Sequence, residues 1–242
     1  MPTVATSILQ HLGTVGAERA RRAGDPALAV AVQRVKAYQQ RRFALTYADL
    51  LASARYRPAA QFFLDELYGP RDFTRRDTQF ERVVPALAQL FPTPIVATVA
   101  VLAELHALSE QLDSALAARL DASAALDATT YAQAWQASAS AEQRERQVAL
   151  TLAVGESLDR LTGNPLLQGS LFMMRGPALA AGLGDLQAFL EAGFDSFRAM
   201  HGAREFLDLV DTREHRLNRA LFEAPPGPAG ADLLALLPPP LA

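Results

Sequence analysis

Val101, Leu105, Leu108, Leu112 and Leu116 recur at steps of three and four residues, the spacing that gathers apolar side chains on one face of an α-helix. The same rhythm returns along most of the 242 residues, while the alternating Val/Ile/Thr runs and Asn-Gly or Asp-Gly hairpin turns of a sheet are missing. Composition points the same way. Alanine accounts for 47 residues, and of the 23 cations only Lys36 is a lysine; Ala and Arg are both good helix formers. The expected fold is all-α, a single-domain bundle of about nine or ten helices over residues 1–224. From Pro225 the pattern collapses into six prolines, two glycines and one charge, the composition of a disordered tail over 225–242.

Punctuation places the helices. A first helix runs from Thr6 to Arg22 and stops at Gly24. Asp25-Pro26 opens the next with a capping carboxylate and a proline at the first helical position. That helix continues towards Arg55, with a break near Leu45-Thr46. Arg57-Pro58 restarts the chain and Gly69-Pro70 stops it. Thr74 and Asp77 resemble a capping box, and Pro85 predicts a kink or restart. After Pro92 and Pro94 the clearest helix spans Ile95–Leu120. Shorter elements follow at Thr129–Gln136 and Ala141–Leu161. Leu166–Met174 and Pro177–Ala181 read as short buried helices, and Leu186–Met200 and Arg204–Glu223 as amphipathic ones. Within the tail, Leu233, Leu234, Leu236 and Leu237 could form a short docking helix.

Several chemistries are excluded at once. With no cysteine, the chain has no disulfide, thiol nucleophile, cysteine-ligated zinc or iron–sulfur cluster. It carries no Gly-x-Ser-x-Gly elbow, P-loop or His-Glu-x-x-His motif. No secretory pattern is evident at the N-terminus, and the best apolar run, Ile95–Leu105, is short for a membrane helix and contains Glu104. Cytoplasmic residence without membrane association is the expectation.

The net charge of -3 conceals an asymmetry. Residues 1–60 hold nine cations (Arg19, Arg21, Arg22, Arg34, Lys36, Arg41, Arg42, Arg55 and Arg57) against Glu18, Asp25 and Asp49. Residues 19–57 could therefore attract nucleic acid or another anion. They could equally pack against the chain's own acidic remainder, and without a recognition motif nucleic-acid binding is the weaker expectation.

Two places concentrate chemistry-bearing side chains. The segment from Phe62 to Asp77 interleaves carboxylates with Arg71, Arg75 and Arg76, which could clamp an anion bidentately or pair with Asp65, Asp72 and Asp77 to order a turn. Four histidines are present, and two have a carboxylate one helical turn away: His106 with Glu110, and His215 with Asp211. His106 borders an apolar stripe, whereas His215 shares its face with Arg204, Asp208 and Arg219. His106, Glu110, Arg71, Arg75 and Arg76 are thus the candidate ligand-binding residues; no catalytic residue, metal or cofactor is implied.

The runs FFLDELYGPRDFTRRD, LAELHALSEQLD, RERQVAL and GPALAAGLGDLQAFLEAGF resemble an uncharacterised bacterial all-helical family known as a domain of unknown function. The resemblance covers most of residues 25–222. It implies a single-domain bacterial protein and transfers no activity, ligand or catalytic residue. The residues themselves favour a non-catalytic helical protein that binds a protein partner or itself. The alternatives are an enzyme or cofactor or metal binder near His106 and the Arg71–Asp77 loop, or an anion binder using the basic head.

Overall fold

In the computed structural model, which describes residues 3–66, 73–121, 125–225 and 230–240, the chain folds into twelve helices. These are α1 Val4–Ala23, α2 Pro26–Thr46, α3 Ala48–Ala52, α4 Arg57–Glu66, α5 Thr74–Leu90, α6 Thr93–Ala117, α7 Ala128–Ser138, α8 Ala141–Thr162, α9 Pro165–Ala180, α10 Gly184–Ala199, α11 Arg204–Glu223 and α12 Ala231–Leu234. Ten of them run seven residues or longer, and the fold is all-α.

The capping residues set many of the boundaries. Thr3, Asp25, Asp127, Ser140 and Asn164 each accept a backbone N–H in the first turn of α1, α2, α7, α8 and α9, satisfying donors that a helix start otherwise leaves open. Ser140 and Gln143 complete a reciprocal capping box. The expected break after Leu45-Thr46 is real: Tyr47 ends α2 and leads into α3.

The middle of the molecule is α6, packed against α1, α2, α5, α7 and α8. It is the one described helix long and apolar enough to cross a membrane by length and composition. Here it is a core helix, with Val96, Leu105, Leu112 and Leu116 buried alongside Glu110 and Asp113. Apolar clusters surround it. One joins Tyr38, Tyr131, Trp135, Leu217 and Leu221. A second stacks Phe43, Phe62, Phe63, Phe197 and Phe206, and a third holds Ile8, Leu12, Phe80 and Val84. Gly155 lets α8 approach α11, since a Cβ there would lie 2.5 Å from Leu207 Cδ2.

Four expectations need correction. Pro85 lies inside a continuous α5, so the restart that it could have caused does not occur. Phe73 occupies the cap position of α5 with no side-chain cap bond, and the Asp77 carboxylate instead pairs with Arg19, Arg76 and His106. Pro165–Ala180 form one helix in place of two, and only Ala178 along α9 is buried. The tail differs most from its composition. Leu233 and Leu237 are buried in the core cluster of α2, α7 and α11, and the Tyr38 hydroxyl donates to the Pro238 carbonyl at 3.2 Å. The leucine cluster that could have formed a docking helix for a partner packs on its own chain.

Candidate functional site

The His106 region is a closed ionic cluster. Asp77 Oδ2 accepts from Arg19 at 2.5 Å and from His106 Nε2 at 2.8 Å, while its Oδ1 lies 3.3 Å from Arg76 Nε. One turn along α6, Glu110 Oε2 takes Arg22 at 2.5 Å and Oε1 takes Lys36 at 2.6 Å. The Lys36 ammonium also lies 4.0 Å from Asp113. The Arg76 guanidinium sits over the rings of Phe73 and Phe189, 4.1 and 4.4 Å from their centroids, a cation–π arrangement on both counts.

Of the five candidate residues, His106, Glu110 and Arg76 therefore meet in this one cluster. Arg75 stays on the surface beside Asp185, 3.3 Å away, and Arg71 lies outside the described residues. Asp77, Arg19, Arg22 and Lys36 join it: the sequence places the first with the loop arginines and the other three in the basic head, apart from His106. A signal for them exists in the sequence. His106, Glu110 and Asp113 sit at steps of four and three on the most apolar helix, and Arg19 and Arg22 are three apart. Ionisable residues at helical spacing on a buried face have to find partners inside.

Electrostatics show what the cluster can do. Burial pushes the Asp77 carboxyl up, but the hydrogen bond and charge of His106, with Arg76 and Arg19, outweigh it and hold it at about 2. Burial likewise opposes ionisation of Glu110, and Lys36, Arg22 and His106 overcome it, again giving about 2. Such carboxylates stay charged at neutral pH, far from the value near 7 that suits a general acid or base. Asp113 runs the other way: burial dominates and raises its pKa. The cluster is a clamp joining α1, α2, α5 and α6.

A pH dependence follows. Both depressed carboxylates contribute stability that is fully present above their ordinary values of 3.8 and 4.5 and is lost as pH falls towards about 2. Shifts of this size correspond to about 2–3 kcal/mol each. The melting temperature, followed by circular dichroism, is expected to drop steeply between roughly pH 4.5 and 2, and less steeply in Glu110→Gln. Equal slopes would contradict this assignment.

A second buried ionic contact ties α2 to α11. Arg42 and the Tyr47 hydroxyl both donate to the buried Glu214, at 2.5 and 2.7 Å. Arg19, Arg22, Lys36 and Arg42 thus turn from the basic head onto internal carboxylates. His215 is a surface residue 2.8 Å from Glu145. An open cleft of about 550 Å³ lies beside the start of α11, lined by Arg55 from the α3–α4 connection and by Gly202, Arg204, Glu205, Asp208 and Thr212 among others. Its two arginines face two carboxylates, and Arg55 is committed to Glu205 and the Met200 and Gly202 carbonyls. Among the described residues no three His, Asp or Glu side chains converge to hold a metal.

The most exposed large apolar side chains among the described residues gather on α9. On α9, Leu166, Phe172, Met173 and Leu179 are 79%, 68%, 74% and 61% exposed. At 100° per residue, they share one outward face with Gly169, Gly176 and Ala180, and no charged residue lies among them. Arg175 is on the flank, held by Glu191 through two bonds of 3.0 and 2.7 Å. Contiguous exposed apolar surface of this kind is uncommon on a monomeric protein.

Neither the curated proteins nor the solved structures contain a match to this chain. Residues 18–228 match a family described as a domain of unknown function, DUF8198. The match takes in the whole ionic cluster and the exposed helix α9. By that match, the chain is a member of the DUF8198 family.

Proposed function

We propose that this chain is a non-catalytic, cytoplasmic helical protein that acts by binding protein, and that the outward face of α9 is its binding surface. The observation that carries the reading is that face itself, four large apolar side chains mostly in water with no charge among them. Leaving a Phe and a Met in solvent forgoes about 1.5–3 kcal/mol for each side chain, a sacrifice that binding would recover. Catalysis has less support, since the buried carboxylates are neutralised by cations and held ionised. The absence of cysteine is compatible with a reducing compartment.

Tagged full-length protein and its Phe172→Glu/Met173→Glu variant, matched for helicity, provide the test in a pull-down from host lysate mixed with untagged copies of the chain. Both substituted side chains lie in solvent, so the variant should fold normally. The unmodified protein is expected to retain a protein, its own copies included, and the variant at least tenfold less of it. Identical retention by both would place binding elsewhere and remove α9 from the argument.

A further inference from the structure

We infer that the partner of α9 is a second copy of this chain, with the two helices antiparallel across a two-fold axis that passes between Phe172 and Met173. This rests on the binding reading above and names its occupant. Read outward from that axis, the exposed face is the same in both directions: a large apolar residue (Phe172 or Met173), a glycine (Gly169 or Gly176), then a leucine (Leu166 or Leu179). A two-fold contact requires that wherever residue i meets j, j also meets i. Antiparallel pairing satisfies this here, bringing Leu166 against Leu179, Gly169 against Gly176, and Phe172 against Met173.

The glycines are an independent observation. Glycine is the least favourable residue for a helix interior apart from proline, so its presence calls for a reason. A Cβ built on Gly169 or Gly176 would meet nothing within 4 Å, so no neighbour in the chain itself demands the small residue. Gly176 has a second use, because the ring of Pro177 crowds a preceding side chain; Gly169 has none. The two lie one heptad apart near the centre line of the exposed face, where a second helix would approach most closely.

Area and charge fit the same occupant. With about 200 Å² for a fully exposed large apolar side chain, the four exposed side chains of α9 offer roughly 560 Å², the larger part of the ~800 Å² per partner of a standard interface. The rim is polar and internally paired, with Arg175 on Glu191 and Arg198 on Gln168. This arrangement of apolar centre and satisfied rim is that of an interface. A membrane surface fits less well, because interfacial helices present free cations to anionic headgroups, whereas these two arginines are engaged.

Light scattering on the purified full chain over a wide concentration range is the primary test. The expected mass is twice the 26.1 kDa of one chain. Gly169→Leu fills open space and raises helix propensity, so it cannot harm the monomer, yet it should weaken dimerisation at least tenfold. The absence of native cysteine makes register testable: Leu166→Cys and Leu179→Cys chains should crosslink to each other on mild oxidation, and neither to itself. A strict monomer overturns the inference, while the pull-down still judges α9 as a binding face. A dimer indifferent to Gly169→Leu, or one in which Leu166→Cys crosslinks to itself, also overturns it. So does a monomer that co-sediments with phosphatidylserine vesicles.

Discussion

Glu110→Gln is expected to destabilise the protein by about 3–5 kcal/mol, the cost of leaving buried charge without its counterion. The substitution keeps the shape of the side chain and one acceptor oxygen. What it removes is the negative charge on which Arg22 and Lys36 converge, and those side chains are only 12% and 14% exposed. For a domain of this size the loss amounts to roughly 6–20 °C in melting temperature. A second variant separates the value of the charge from the value of the pair. Replacing all three partners with apolar residues, Arg22→Leu/Lys36→Met/Glu110→Leu, removes every desolvation penalty together. It should lie within about 2 kcal/mol of the unmodified protein, or above it. Burial raises the Asp113 pKa against the charge of Lys36, so loss of that lysine should raise it further. Calorimetry or thermal circular dichroism decides the matter. If Glu110→Gln costs under about 1 kcal/mol, the cluster is no better than a surface ion pair.

The contrast between these variants shows where sequence reasoning reached. Helix limits were legible wherever they depend on a residue's own neighbours. Asp25-Pro26 opens α2, Gly163 closes α8, and Arg204–Glu223 is α11 as its periodicity indicates. Asp77 was misread for the converse reason. Three residues after Thr74 it looks like half of a capping box, and nothing local reveals that Arg19, 58 positions earlier, will reach it. The same holds for Arg22 and Lys36, whose partner Glu110 lies 88 and 74 positions away.

Helix α9 exposes a different limit. An apolar stretch has the same composition whether it is enclosed or open, and the sequence between Pro165 and Ala180 reads as core. In the fold it meets α8 and α10 through a narrow strip around Leu167, Leu171 and Ala178. Its remaining circumference carries Gln168, Ser170 and Arg175 beside the exposed apolar side chains, so polarity alone does not mark where the packed strip ends. Hydropathy registers both faces alike; only tertiary contacts tell them apart.

Deleting residues 230–242 is expected to lower stability by about 2–4 kcal/mol, although composition alone would make the deletion neutral. Leu233 and Leu237, one helical turn apart, are 5% and 3% exposed in the cluster that contains Tyr38, Leu217 and Leu221. Burying two leucines is worth roughly 3–6 kcal/mol, partly offset by the entropy of ordering the segment. The Tyr38 hydroxyl and Arg41 add contacts to the Pro238 and Pro240 carbonyls. Because the segment docks or releases as a unit, its substitutions should not add. Leu233→Ala and Leu237→Ala each approach the full loss, and the double variant equals the deletion instead of the sum. Thermal melts give the energies, and limited proteolysis gives the mechanism: the segment should be protected in the unmodified protein and cleaved in each leucine variant. Rapid cleavage of the unmodified tail, with an unchanged melting temperature after deletion, would restore the mobile tail that the prolines suggest. Additive leucine losses would instead make the tail part of the main cooperative unit, so that the groove between α2, α7 and α11 could not open without unfolding the domain.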